Sequence, residues 1–293
     1  MDYFSHLGVL VCIYAILAVA LDFLVGFTGI LSLGHAAPFG LGAYTTALLF
    51  LHTEVPDFLV LPSAVLVAGA VNVLIGIPGL RLKGDYFALA TLGLAETLRI
   101  GTVNWTSFTR GPMGLPGIPR PAFGPFTLSS PAGYLFFSAV CAGAVCAVFQ
   151  VLARSRFGRV LEAVRDDEEW LAALGRNPKT AKLAAMAGSG AAAGLAGFLY
   201  AAYAAFIDPS AFAFSESILV LCMVILGGPG TVWGGVLGAL VLVLLPEPLR
   251  LLHLPADMLG AFRQMLYGLL LVLIMLFRPR GLLGNPWVWQ SLK

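Results

Sequence analysis

Hydrophobic positions run in long unbroken blocks along this chain, and polar residues are confined to the gaps between them. A helix that crosses a bilayer needs about 20 apolar residues. Blocks over 7–25, 35–51, 58–80, 86–103, 131–152, 183–206, 217–227, 232–249 and 258–277 meet or approach that length. The pattern predicts an all-α, polytopic membrane protein with about nine spans. The range is about eight to ten, because the seventh block is short and the stretch 26–34 is apolar but broken. Continuous apolar runs without alternation speak against a β-barrel. The first block lacks the positive flank and small-residue cleavage site of a removable signal peptide, and reads as a retained span.

The densest polar interruption is 154–182, between the fifth and sixth blocks. So many charges cannot lie in lipid, where each costs about 2.5–3.5 kcal/mol at the bilayer centre on insertion scales. Within it Val160, Leu161, Val164, Leu171 and Leu174 recur at roughly helical spacing. This predicts one amphipathic helix over 160–174, stopped by Gly175, with Asn177 capping the next helix and Pro178 as its first residue. The chain reads as a single transmembrane domain over 1–293, with 154–182 as a structured water-facing loop inside it.

Charge sets the orientation. Arg81 and Lys83, the 154–182 loop, and Arg278 with Arg280 all fall on one side if nine spans alternate. By the positive-inside rule that side is the cytoplasm, which puts the N-terminus outside and the C-terminus inside. Arg250 and Arg263 are a modest exception near the outer face. The Gly- and Pro-rich stretch 104–131 is the longest outer connection and reads either as a short lid or as a plain surface loop.

Residues are 59 % hydrophobic and 11 % charged, against about 25 % charged in soluble domains. The net charge of +2 carries no nucleic-acid signal, because Lys and Arg sit in loops. Cys12, Cys141, Cys146 and Cys222 lie inside apolar blocks without CxxC spacing, and read as small buried hydrophobes. No metal site and no cofactor is expected.

Two Gly-interrupted segments, 26–49 and 227–245, stand in the two halves. Paired breaks of this kind point to an internal repeat and a substrate path near the midplane, although close packing alone also explains glycines at GxxxG spacing. Within the spans the ionisable residues noted are Asp22, His35, Glu96 and Arg99. Glu96 and Arg99 are three apart and can pair. His35 opens the helix after the first break, either facing a polar cavity or donating to a neighbouring carbonyl. Gly29, Ser32, Gly34, His35, Glu96, Gly228 and Gly230 are the candidates for a translocation path.

The chain has no HExxH, no GxSxG and no phosphate-binding GKS or GKT. It also lacks the ladder of intramembrane acids that runs an ion-coupled pump. Energy for uphill transport would come from another subunit.

Six stretches in order carry a resemblance: 26–44, 80–100, 111–121, 158–182, 227–239 and 278–284. With these the chain resembles the LivM-type membrane permeases of branched-chain amino acid ABC importers. The match departs at Gly235 and Pro38, both in the broken segments, which leaves details of the path open. The resemblance implies a coupling loop in which Glu162, Ala163 and Gly175 occupy matching positions, with Arg165, Asp166 and Asp167 on the helix between. It implies two cytoplasmic ATPase subunits, a LivH-like second permease, an extracytoplasmic binding protein, and residence in the bacterial inner membrane. Leu, Ile or Val is the implied substrate; other amino acids, short amides or urea are open alternatives. An ion-coupled secondary transporter or channel is a different class, and a membrane enzyme is a third.

Overall fold

The computed structural model describes residues 2–53, 55–80, 82, 84–123, 126–127, 130–247, 256–278 and 281–284. Arg81, Lys83, Arg250 and Arg280 of the charge argument lie outside the described residues, as does the side chain of Arg263.

The chain is a bundle built around its first helix. α1 (Asp2–Thr28) is apolar on all sides, so it has no face suited to water, and it packs in the centre. Every residue from Ala15 to Thr28 is buried. Against it pack α6 (Pro131–Arg154), α9 (Pro178–Ala204), α10 (Phe214–Gly227) and α11 (Val232–Leu244); α2 (Ala36–His52) and α3 (Asp57–Gly79) pack on α9, α4 (Asp85–Asn104) on α2 and α3, and α12 (Ala256–Phe277) on α10. Among the described residues four helices, α1, α3, α6 and α9, are long and apolar enough to cross a membrane, or five if the bent pair α10–α11 is one span. This is the architecture of a multi-pass membrane protein.

Small residues set the closest approaches. Gly194 of α9 lies between α2 and α3: a Cβ on Gly194 would sit 2.5 Å from the Ala68 Cβ of α3, and a Cβ on Gly42 of α2 would sit 2.5 Å from the Gly194 Cα. Backbones of three helices thus meet where the GxxxG step Gly190–Gly194 places them. Two buried side chains tie the same helix down. Asn72 donates from Nδ2 to the Met186 carbonyl at 2.7 Å, and Ser189 donates from Oγ to the Ala20 carbonyl at 2.7 Å.

The described part of 104–131 is more regular than a Gly- and Pro-rich run suggests. It holds a short helix α5 (Thr106–Thr109), a 3₁₀ turn (Gly111–Met113), and two-residue strands β1 (Leu115–Pro116), β2 (Ala122–Phe123) and β3 (Phe126–Thr127). β1 pairs antiparallel with β4 (Phe206–Ile207), and β2 pairs with β3. Leu115 and Ile118 are buried, so this segment is packed onto the bundle end.

The polar loop holds two helices, not one: α7 (Arg156–Asp166) and α8 (Glu168–Ala173). The expected single helix over 160–174 breaks at Asp167, whose backbone is extended (φ −158°, ψ 105°). The physical reason is a cap. Asp167 Oδ1 accepts from the Glu169 and Trp170 N–H groups at 2.9 Å, which starts a new helix within the run of acids. The apolar stripe survives in part: Leu161, Val164 and Leu171 are buried, whereas Leu174 is exposed. Downstream, Gly175 takes a left-handed φ of +79° and Asn177 Oδ1 accepts from the Lys179 N–H at 3.0 Å, as the sequence predicts.

Candidate functional site

Both breaks arrive at one end of the bundle, the end that carries α7 and α8. α1 continues through Gly26 to Thr28, so the first break is 29–35, narrower than the Gly pattern suggests. The second is a turn at 228–231 between α10 and α11, which diverge by 118°. Gly29, Ile30 and Pro229 line a cavity of about 880 Å³ together with Arg165, Asp166 and Lys182. Leu82 and Gly84, between α3 and α4, line it too.

Hydrogen bonds and close packing join this region mechanically. Arg165 of α7 donates from Nη1 to the Gly26 carbonyl at 2.7 Å and rests its stem against Gly29. The same guanidinium donates from Nε to Asp166 Oδ1 at 3.0 Å, and its side chain is only 7 % exposed. One turn back on α1, Asp22 accepts the Gly230 N–H on Oδ1 at 2.8 Å. Between these bonds Gly26 lies against Gly230; a Cβ on Gly26 would come 2.1 Å from the Gly230 nitrogen. The end of α1 is therefore held by the loop helix on one side and by the second break on the other.

The tail closes the assembly. Leu282 and Leu283 donate their N–H groups to the Leu226 and Gly227 carbonyls at 2.9 and 2.8 Å, and Gly281 packs on Gly228. These carbonyls end α10 and would otherwise lack helical partners.

The remaining candidates sit elsewhere. Ser32, Gly34 and His35 are buried in the climb from the cavity to α2. Leu33 donates its N–H to Thr91 Oγ1 at 3.2 Å, and Ser217 Oγ receives the Ala36 N–H at 2.9 Å, which satisfies the first turn of α2. Neither ring nitrogen of His35 has a partner among the described residues. Glu96 stands apart from the cavity. It pairs with Arg99, whose Nε lies 3.0 and 2.9 Å from its two carboxylate oxygens, on a face of α4 that is part-exposed.

On the loop, Glu162 and Ala163 are half-buried, and Asp166, Asp167 and Gly175 are exposed. Lys182 bridges back to Glu168. Three features escaped the sequence reading. Trp170 and Leu174, each 66 % exposed, form an apolar spot on the outside of α8. Asp22 serves the second break; its place four residues before Gly26 was the available signal. Glu216, just ahead of the seventh block, accepts from the Tyr14 hydroxyl inside the bundle.

Comparison with known proteins follows the same outline. A family profile described as branched-chain amino acid transport system / permease component matches residues 3–275. The high-affinity branched-chain amino acid transport system permease protein LivM of Escherichia coli K12 is 37 % identical over 301 residues, covering 94 % of this chain and 69 % of that protein. The protein of the same description in Salmonella typhimurium LT2 is 38 % identical, covering 92 % and 68 %. The autoinducer 2 import system permease protein LsrC of Yersinia enterocolitica is more distant, 28 % identical over 206 residues, covering 69 % of this chain and 54 % of that protein. No solved structure matches. A match across nearly the whole bundle, both breaks and the α7–α8 loop included, means that this chain belongs to the branched-chain amino acid transport system permease family.

Proposed function

We infer that the chain is the membrane permease subunit of an ABC importer for branched-chain amino acids. The observation that carries this reading is the linkage from α7 to both breaks through the Arg165–Gly26 and Asp22–Gly230 hydrogen bonds. A motor that moves α7 moves the end of α1, and with it the turn between α10 and α11. Nothing in the chain itself binds nucleotide by a phosphate loop, so the motor is a pair of separate cytoplasmic ATPases. The exposed α8 surface around Trp170 and Leu174 is their grip, and Arg165, being buried, transmits motion and does not dock.

In this reading all of 1–293 is one permease domain of nine spans, with the α7–α8 end in the cytoplasm and the N-terminus outside. The two breaks are related parts of an internal repeat, and Gly29, Ser32, Gly34, His35, Gly228 and Gly230 belong to the path. A LivH-like second permease completes the membrane unit, and an extracytoplasmic binding protein delivers Leu, Ile or Val. Likeness to the two branched-chain amino acid permeases LivM supports the substrate class. ATP binding shifts the population between inward- and outward-open arrangements by holding α8 differently in the two states.

Radiolabelled leucine uptake in a deletion strain, with competition by other amino acids, short amides and urea, tests the substrate. Liposomes that hold this chain alone test the class. Uptake driven by the single chain and abolished by an ionophore would overturn the importer reading.

A further inference from the structure

α6 carries a continuous exposed stripe. Phe136, Val140, Ala144, Val148 and Val151 recur every three or four residues along it, and all are exposed. The helix is long and apolar enough to cross a membrane, so this stripe suits hydrocarbon. The next position on the same face is Arg154, three residues beyond Val151 and also exposed. The stripe therefore ends in a guanidinium where the span ends, at the depth of lipid headgroups.

Two more arginines stand at the same corner. Arg156 and Arg159 are three apart on the exposed side of α7, turned away from the buried Leu161 and Val164. The corner is tight: a Cβ on Gly158 would come 2.1 Å from the Ala153 carbonyl oxygen. Phe157 packs on Phe23 of α1 with ring centroids 6.4 Å apart, which fixes the start of α7 against the bundle. Arg159 folds back over the end of α6, its Nη1 donating to the Arg154 carbonyl at 3.4 Å.

These arginines are not matched by acids. Arg154 donates from Nε and Nη2 to the side-chain amide oxygen of Gln150, a neutral partner one turn back, at 3.0 and 3.3 Å. Among the described residues no carboxylate lies within 4 Å of Arg154, Arg156 or Arg159. Elsewhere on the loop Arg165 pairs with Asp166 and Lys182 with Glu168. Three uncompensated positive charges thus stand within 154–159, at the foot of an apolar face. An occupant that complements both has an anionic head and apolar tails.

We propose that the α6–α7 corner binds an anionic phospholipid, its phosphate held by Arg154, Arg156 and Arg159 and an acyl chain lying along Val151 and Val148. Guanidinium forks match phosphate oxygens with paired donors, and basic clusters beside a span draw anionic headgroups. An acidic protein surface would meet the charges but leave Val148 and Val151 uncovered. The inference needs only that α6 crosses the bilayer. It stands apart from the substrate and the motor, and from which side of the membrane the corner faces.

The experiment uses the full chain, purified in neutral detergent and stripped of lipid. It is titrated with dioleoylphosphatidylglycerol, with dioleoylphosphatidylcholine and with inorganic phosphate, and read by thermal melts and native mass spectrometry. Phosphatidylglycerol is expected to raise the melting temperature by several degrees and to stay on the protein as an adduct; the other two are not. Arg154→Gln, Arg156→Gln and Arg159→Gln together should leave the lipid-free melting temperature unchanged, because the side chains are exposed, and weaken phosphatidylglycerol binding by roughly tenfold or more. The corresponding triple Lys variant keeps the charge without the fork and should retain part of the binding. Single Gln variants, each losing part of it, carry the test if the triple variant melts low. Arg176→Gln, exposed and beyond α8, is the control and keeps it all. Equal phosphatidylglycerol binding by the parent and the triple Gln variant overturns the proposal, as does equal binding of phosphatidylcholine. A shift given equally by inorganic phosphate makes this a free-anion site and overturns the lipid. A triple Gln variant that keeps its lipid but no longer brings down co-expressed ATPases makes the corner a protein dock, which overturns it too.

Discussion

Arg165 and the backbone of Gly26, 139 residues apart in sequence, are joined by a 2.7 Å hydrogen bond that ties the α7–α8 loop to the core helix. The bond is charge-assisted and protected from water, a class worth about 1.5–3 kcal/mol. Arg165→Ala is expected to leave ATPase co-purification intact and to cut leucine uptake at least tenfold. Arg165→Lys, which keeps a donor but not the fork, should fall between. Uptake assays paired with pull-downs separate this from lost docking.

At Gly26 the prediction concerns volume. Because a Cβ would meet the Gly230 nitrogen at 2.1 Å and Asp22 Oδ1 at 2.6 Å, Gly26→Ala must push the second break away from α1. Overpacking of this kind costs about 1–3 kcal/mol. The melting temperature in detergent and the amount of protein in membranes should both drop.

Asp22 separates hydrogen bonding from charge. Asp22→Asn retains an acceptor for the Gly230 N–H and should keep stability near that of the parent. Asp22→Leu leaves that N–H buried without a partner, a loss of about 1–3 kcal/mol. Thermal melts of both variants, read beside uptake, check the assignment.

The outer spot on α8 should behave as a docking residue and not as a structural one. Trp170→Ala and Leu174→Ala remove side chains that are two-thirds exposed, so the melting temperature should hold within a degree or two, since exposed sites shift stability by less than about 0.5 kcal/mol. Co-purification of the ATPases should fall several-fold.

Asp167 caps α8, and its loss should unravel that helix first. Asp167→Ala is expected to cost about 1 kcal/mol locally. Limited trypsin digestion reads this directly, through faster cleavage after the exposed Arg176.

Much of the fold was legible because membrane helices are written in runs of apolar residues. The four helices that pass the length and apolarity test coincide with predicted blocks, and Gly175, Asn177 and Pro178 end and begin helices as their chemistry requires. The Glu96–Arg99 pair was legible from spacing alone. Asp167 hid inside a run of acids, where a cap and a solvated charge look the same. The pairing of Gly26 with Gly230 was invisible, since two glycines distant in sequence signal close approach without naming a partner. Leu174 looked like the continuation of a buried stripe, and Trp170 carried no signal of its own; both lie exposed beyond the break at Asp167. Ser32, Gly34 and His35 carried no spacing signal beyond the glycine break, and in the fold they are buried as packed residues are.

The bonds from Leu282 and Leu283 to the end of α10 carry a consequence for biosynthesis. The α10–α11 turn leaves the ribosome well before α12, yet the Leu226 and Gly227 carbonyls acquire these partners only after the chain beyond α12 has been made. Until then the end of α10 lacks the two partners that the finished chain supplies. Chains truncated after Phe277 should therefore be inserted normally and then cleared.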